Sequence, residues 1–377
     1  MAEKIQDGEF KTSSIEKEKK DTDLVKLDSF DDFLLNESFV RNFFEAHISK
    51  LNLSDFSILK YETHLLKSKR RKPAIEFKLH LQSKTNNQQK QQLSKSIIGK
   101  RRSDSYGEQV FSLLQELWNK GFDGRRGGNG GHDHDDHLKI CEPIAYFPDY
   151  NLMLTSKASG LELGKVMMMK VDGDNKNLLE TYVKQAAAWL AKLHSIHLNS
   201  GRTFSLKEEE KKLNEWGQHL SSFYPYFAEK IKDIFLPCIL EAEKSIDTKL
   251  FVPIHGDFNP NNIFVDGTSI TVIDFEQSCI FDPTFDLGYF IAKLISAKRR
   301  YNLFSMDTDA LQKCFLDKYA AERSTEQLLE RVNLYKARSY LQHLHFRYWT
   351  GRKRHKPDPV DCEYWLKKAE ECLKRWM

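Results

Sequence analysis

His255-Gly-Asp-Phe-Asn-Pro-Asn-Asn-Ile-Phe-Val265 leads through Asp266-Gly267 into Ile270-Thr-Val-Ile-Asp-Phe-Glu276. Residues 263–265 and 270–273 are short apolar runs, and Asp-Gly between two such runs is a strong hairpin signal. Folding the hairpin back sets Asn262 opposite residue 271 if the loop has two residues, or 273 if it has four. In either register Asn262 lies close to Asp274, and Asp257 precedes both on the entering loop. Two carboxylates and one amide oxygen therefore converge at one end of a hairpin.

That donor set has a chemistry. Mg²⁺ prefers hard oxygen ligands and takes one or two protein carboxylates together with substrate phosphates. A triphosphate needs such neutralisation for phosphoryl transfer, and an acceptor hydroxyl needs a positioned carboxylate to take its proton. The spacing from His255 through Asp257 to Asn262 also fits H-x-D-x-x-x-x-N, the pattern of a kinase catalytic loop. The competing reading is a solvated Asx-rich turn before a hairpin, since Asn, Asp and Gly favour turns in any case. The second carboxylate at the end of the next strand, and Asp282-Pro-x-x-Asp286 beyond it, argue against that reading.

Taken together, HGDFNPNN, IDFE and DPTFDLG resemble the aminoglycoside phosphotransferase / choline kinase-like superfamily, whose fold is related to that of protein kinases. The resemblance covers about residues 55–350. It implies an α+β, bilobal protein kinase-like fold with a small β-rich N-lobe and a larger α-helical C-lobe. It implies Asp257 as catalytic base, Asn262 and Asp274 as holders of Mg²⁺, and His255 and Asp286 as structural supports of the loop. The segment ending Ala187-Ala-Trp-Leu-Ala-Lys-Leu-His194 is similar to the family's helix just inside the C-lobe. In the N-lobe the resemblance makes Lys100, at the end of an apolar strand, the phosphate-binding lysine, and Glu108 its ion-pair partner. Glu108 has a second reading, because Ser105-Tyr-Gly-Glu108 is a capping box. No GxGxxG lies between the first strands, a departure from the protein-kinase pattern that the superfamily shares. The turn KSKRRK (67–72) reads as a solvated basic turn, with Lys69, Arg70 or Arg71 as alternative phosphate contacts.

Outward from this centre the patterns agree. Ile75, Phe77, Leu79 and Leu81 alternate with Glu76, Lys78 and His80, the period of a half-buried strand. Strand character recurs at 57–66, in the run ending at Lys100, and at 140–156. A helix is expected from Ser105 to Gly121. Leu179, Val183, Ala186, Leu190 and Leu193 are spaced as on one helical face. Further helical patterns occupy 206–245, 284–298, 309–321, 325–350 and 360–376. The expected division is a disordered tail (1–27), an N-lobe (28–156) whose first helix is capped by Asp31 or Asp32, and a C-lobe (157–377).

The 377 residues are 40% hydrophobic and 30% charged, enough for a core beneath a solvated surface. A formal charge of +4 calls for neither nucleic acid nor an anionic membrane. Six cysteines without a C-x-x-C pair imply reduced thiols rather than zinc or a disulfide framework. No apolar leader or 18-residue apolar run is visible, so a cytoplasmic protein is expected. HDHDDH (132–137) and RKRHK (352–356) read as solvated loops. Asp282-Pro follows Asp274 by only eight positions, with no A-P-E element, so there is little chain with which to build a peptide platform. The expected activity is transfer of the γ-phosphoryl group of ATP (or GTP) to a hydroxyl of a small molecule. The rivals are a catalytically silent nucleotide-binding regulator and an atypical protein kinase.

Overall fold

The computed structural model describes residues 37–67, 74–84, 92–101, 106–125, 137–169, 173–303, 305–323, 329–350 and 358–377. The expected tail, the Asp31 or Asp32 cap, most of the 67–72 turn, Ser105, HDHDDH apart from His137, and 352–356 lie outside them. Two compact units divide the chain, residues 1–47 and 48–377. The first contributes helix α1 (Glu37–Ala46), with Val40, Phe43 and Phe44 at helical spacing.

The second unit begins with strands β1 (Phe56–Lys67), β2 (Ala74–Ser83) and β3 (Gln92–Arg101). After helix α2 (Tyr106–Leu117) come β4 (Leu138–Ile140), β5 (Pro143–Phe147) and β6 (Leu152–Ser156). A five-stranded antiparallel sheet runs in the order β1-β2-β3-β6-β5. The alternation in β2 is realised directly: Ile75, Phe77, Leu79 and Leu81 are fully buried. Lys100 stands opposite Ala74 and Met153, near the end of β3.

Strand β7 (Leu161–Glu162) and helix α3 (Leu163–Met168) lead into the long α4 (Gly173–Ser195). The 206–245 pattern is not one helix. It divides into α5 (Leu206–Phe223) and α6 (Leu236–Lys244), joined by short turns that start at Pro225 and at Lys230. Pro225 has no N–H to continue the ladder, and Pro237 sits in the first turn of α6, where that lack is tolerated. Strand β8 (Val252–Ile254) enters the central loop, and β9 (Ile263–Asp266) and β10 (Ser269–Val272) form the hairpin. Strand β11 (Cys279–Phe281) pairs antiparallel with β8. Helices α7 (Thr284–Arg300), α8 (Thr308–Glu322), α9 (Leu329–His345) and α10 (Pro359–Leu373) complete the unit.

A second sheet, β4-β10-β9-β7, holds the hairpin between β7 and β4, with β4 parallel to β10. Behind it lies a hydrophobic cluster that includes Trp189, Phe258, Phe275 and Phe290. A β-sheet region thus precedes a mainly helical one, with the central loop and hairpin in the helical part. Among the described residues, no helix is long and apolar enough to cross a membrane.

Candidate active site

The hairpin register is set by Asp266 facing Ser269 around Gly267 and Thr268. This carries Asn262 opposite Ile273, whose N–H donates to the Asn262 carbonyl at 2.9 Å. Asp274 follows at once, in the left-handed conformation with φ +74°. Asp tolerates that region better than most residues, yet it still costs of order 1 kcal/mol, and such positions cluster at functional sites.

Asp257 is held by three donors. Asn262 Nδ2 donates to Oδ2 at 3.0 Å, Asn259 Nδ2 to Oδ1 at 3.1 Å, and the Tyr289 hydroxyl to Oδ1 at 2.7 Å. Burial and the Asp257 charge both push the Tyr289 hydroxyl well above its ordinary pKa, so it stays a neutral donor. Both Asn259 and Asn262 also donate to the Asp257 carbonyl, which binds loop and hairpin start into one piece.

Asp286, fully buried at the start of α7, accepts from the backbone N–H groups of His255 at 2.6 Å and Gly256 at 2.9 Å. It also lies 3.3 Å from His194 Nε2, while His194 Nδ1 meets the Tyr319 hydroxyl at 2.9 Å. Burial lowers the His194 pKa, with Asp286 working the other way. Gly256 has φ +77°, and a Cβ there would lie 2.2 Å from the Gln277 carbonyl, so the turn between His255 and Asp257 requires glycine. His255 is fully buried, and its Nε2 meets the Ile273 carbonyl at 3.0 Å, joining the loop to the residue before Asp274. Trp189 stacks on Phe258 at 5.6 Å between ring centres, so the residue after Asp257 is anchored in the core.

Lys100 Nζ reaches Asp274 Oδ1 at 3.1 Å, with both side chains 24% exposed. The pairing of Lys100 with Glu108 is not formed. Glu108 is exposed in the first turn of α2, and Asp274 takes the lysine instead. The structure thus brings His255, Asp257, Asn262, Asp274, Asp286 and Lys100 into one connected network and leaves Glu108 outside it.

Three residues about Asp257 went unread in the sequence: Asn259, Tyr289, and Lys293, whose ammonium lies 4.7 Å over the Tyr289 ring. A signal for the last two was present. Asp286, Tyr289 and Lys293 lie three and then four residues apart on α7, which puts them on one face. Asn259 sits in an Asx turn, its Oδ1 accepting from the Asn261 N–H at 3.0 Å, and nothing local told that turn from an ordinary one.

This fold and this network define a class. Residues 136–324 match the family model of the Phosphotransferase enzyme family, and the chain belongs to that family. No curated protein matches the sequence. Among solved structures, the choline kinase LicA from Streptococcus pneumoniae shares 15% identity over 90% of this chain and 100% of its own, with a TM-score of 0.52. LicA in complex with AMP shares 16% identity over 90% of this chain and 99% of its own, at 0.50. A choline/ethanolamine kinase family protein from Mesorhizobium loti shares 13% identity over 88% of this chain and 94% of its own, also at 0.50. The fold is therefore the bilobal, protein kinase-like α+β fold, and the protein is a kinase-type phosphotransferase.

Proposed function

We propose that this protein transfers the γ-phosphoryl group of ATP or GTP to a hydroxyl of a small molecule, with Asp257 as the base. The observation that carries the reading is the single network linking Asp257, Asn262, Asp274 and Lys100. Tyr289 and Asn259 both donate to Asp257 Oδ1, whereas Oδ2 accepts from Asn262 alone. Each carboxylate oxygen has two acceptor sites, so Oδ2 is the atom with capacity left to take the proton of an acceptor hydroxyl.

The donor set fits Mg²⁺. The amide nitrogen of Asn262 is committed to Asp257, which turns Oδ1 to the role of ligand, and Asp274 adds a carboxylate. Two hard oxygens leave room for substrate phosphates and water, the arrangement Mg²⁺ favours. When bound, the ion neutralises phosphate charge. Lys100 and Asp274 satisfy each other in the absence of nucleotide, and a phosphate group gives Lys100 an alternative anionic partner. Glu108, on the helix that follows β3, is assigned to the same cleft as a residue that pairs with Lys100 once Asp274 is engaged elsewhere. The nucleotide complex of LicA supports a nucleotide site on this fold.

NDP release from Mg-ATP and Mg-GTP, with and without a protein-free metabolite extract, tests this directly. Extract-dependent release that disappears in Asp257→Ala is the expected result. Nucleotide binding with no release under any condition would favour the silent-regulator reading, and phosphate appearing on protein would favour a protein kinase.

A further inference from the structure

A cleft of about 1180 Å³ is lined in part by Asn259 and Tyr289, both of which donate to Asp257. Its charge is one-sided. Lys293, Lys298, Arg299, Arg300, Arg347 and Lys368 line it, against the carboxylates of Asp309 and Asp361 alone, which leaves +4. Much of the remaining pairing is internal. Asp361 is taken by Arg299 at 2.9 Å and Arg347 at 3.4 Å, and Lys368 by Glu371 at 2.8 Å. Lys293, Lys298 and Arg300 have no carboxylate partner among the described residues.

Basic residues in the last turn of a helix also answer the helix dipole, which accounts for Lys298 and Arg300 in part. It does not account for Lys293, which lies in the middle of α7. Burial pushes the Lys293 ammonium below its ordinary pKa, with the Asp257 charge as an opposing influence. An unpaired ammonium in such surroundings is costly and is relieved by an anion.

Further features point the same way. Three aromatic rings of the cleft already lie under the protein's own cations, Lys293 over Tyr289 at 4.7 Å, Arg299 over Tyr364 at 4.1 Å and Arg300 over Tyr301 at 5.4 Å, while a fourth, Phe346, is exposed. At Tyr289, the ring nearest Asp257, a quaternary ammonium would find like charge where it needs a bare face. His343, also in the lining, is kept neutral by burial and by Lys293, with its pKa lowered to about 4, and its Nε2 has no hydrogen-bond partner among the described residues.

Resting on the phosphotransferase reading above, we infer that the acceptor is an anionic hydroxyl compound, carrying a phosphate or carboxylate that Lys293 and Arg300 bind while its hydroxyl lies at Asp257. Tyr289 touches Asp257, and Lys293 follows one helical turn later, about 6 Å along α7. Lys293 Nζ also lies 4.7 Å from the centre of the Tyr289 ring, so the anion-binding group and the base flank one side chain.

The test separates polar metabolites into anion-exchange-retained, cation-exchange-retained and unretained fractions, and assays each for NDP release from Mg-ATP and Mg-GTP. Release with the anion-retained fraction is expected. Lys293→Met should raise the acceptor KM about tenfold or more, with nucleotide affinity unchanged and Lys293→Arg restoring most of the loss. Release confined to the cation-retained or unretained fraction overturns the inference and leaves the phosphotransferase reading intact. Release with no fraction removes both. A Lys293→Met protein that keeps its fold, by an unchanged thermal midpoint, and also keeps its acceptor KM equally overturns the assignment of Lys293.

Discussion

At Asp274 the backbone and the charge make separable demands. The left-handed conformation favours Gly, Asn or Asp, whereas the proposed cation site requires a carboxylate. Asp274→Asn keeps shape and backbone preference and removes only the charge, including the partly exposed pair with Lys100. Pairs of that kind contribute about 0–1 kcal/mol, so stability in urea should change by less than about 1 kcal/mol. Turnover should nevertheless fall by about a hundredfold or more. A variant that unfolds would show that Asp274 matters for the fold. One that turns over normally would remove it from the site. Tyr289→Phe is a milder probe, because Asp257 Oδ1 keeps Asn259 when the hydroxyl is lost. A fall in kcat of about tenfold with nucleotide KM unchanged is expected, consistent with one charge-assisted hydrogen bond. Equal rates would mean that Asn259 alone positions the carboxylate.

Among the elements, α7 carries the most. It bears Asp286 against the loop backbone, Tyr289 against Asp257, and Lys293 in the cleft. Its position depends on a close approach to α9: a Cβ at Gly288 would lie 2.6 Å from the Val332 carbonyl and 2.7 Å from Tyr335 Cβ. Gly288→Ala should therefore push the helices apart, costing about 1–3 kcal/mol of stability as overpacking does. Because Tyr289 is the next residue, kcat should fall as well. An undisturbed melting temperature would mean that α9 moves freely. The same element shows where the sequence was legible. The hairpin, the β2 alternation and the loop motif were readable because each is written in neighbouring residues with a period or a turn. The register with Asn262 facing Ile273 was one of two open choices, and it is reached with a two-residue loop at Gly267 and Thr268, one position later than the Asp266-Gly267 signal suggested. The parallel pairing of β4 with β10 and the pairing of β8 with β11 join segments far apart in the chain, and short apolar runs carry no address for a distant partner. The contact of Lys100 with Asp274 was unreadable for a related reason: it joins residues 174 apart in the chain, and no local pattern announces it.

For the molecule as a whole, pH dependence of stability turns on a buried charge cluster away from the site. Arg338 lies between two glutamates, with Nε 2.6 Å from Glu209 Oε1 and 4.0 Å from Glu243 Oε1. Lys212 adds a second cation to Glu209 at 2.7 Å. Glu243, 1% exposed, has no hydrogen-bond partner for either oxygen among the described residues. Burial first, and then the charge on Glu209, push Glu243 up to about 8. Burial also acts upward on Glu209, but Arg338 and Lys212 outweigh it and hold that carboxyl below its ordinary value. The two therefore act in different pH windows. Glu209 contributes stability that is lost as pH falls below the ordinary glutamate range. Glu243 has a folded pKa above its unfolded one, so the folded state binds the extra proton between the ordinary glutamate value and about 8. Stability from this group is complete below that window and declines as pH rises through it, by up to about 1.4 kcal/mol per pH unit. Glu243→Gln keeps the shape of the protonated acid and cannot ionise. Urea unfolding at pH 5.5 and pH 8 should show the variant's stability advantage over wild type widening markedly from the lower pH to the higher one. A wild-type protein equally stable at both values would mean that Glu243 is ionised throughout and that Arg338 serves both carboxylates.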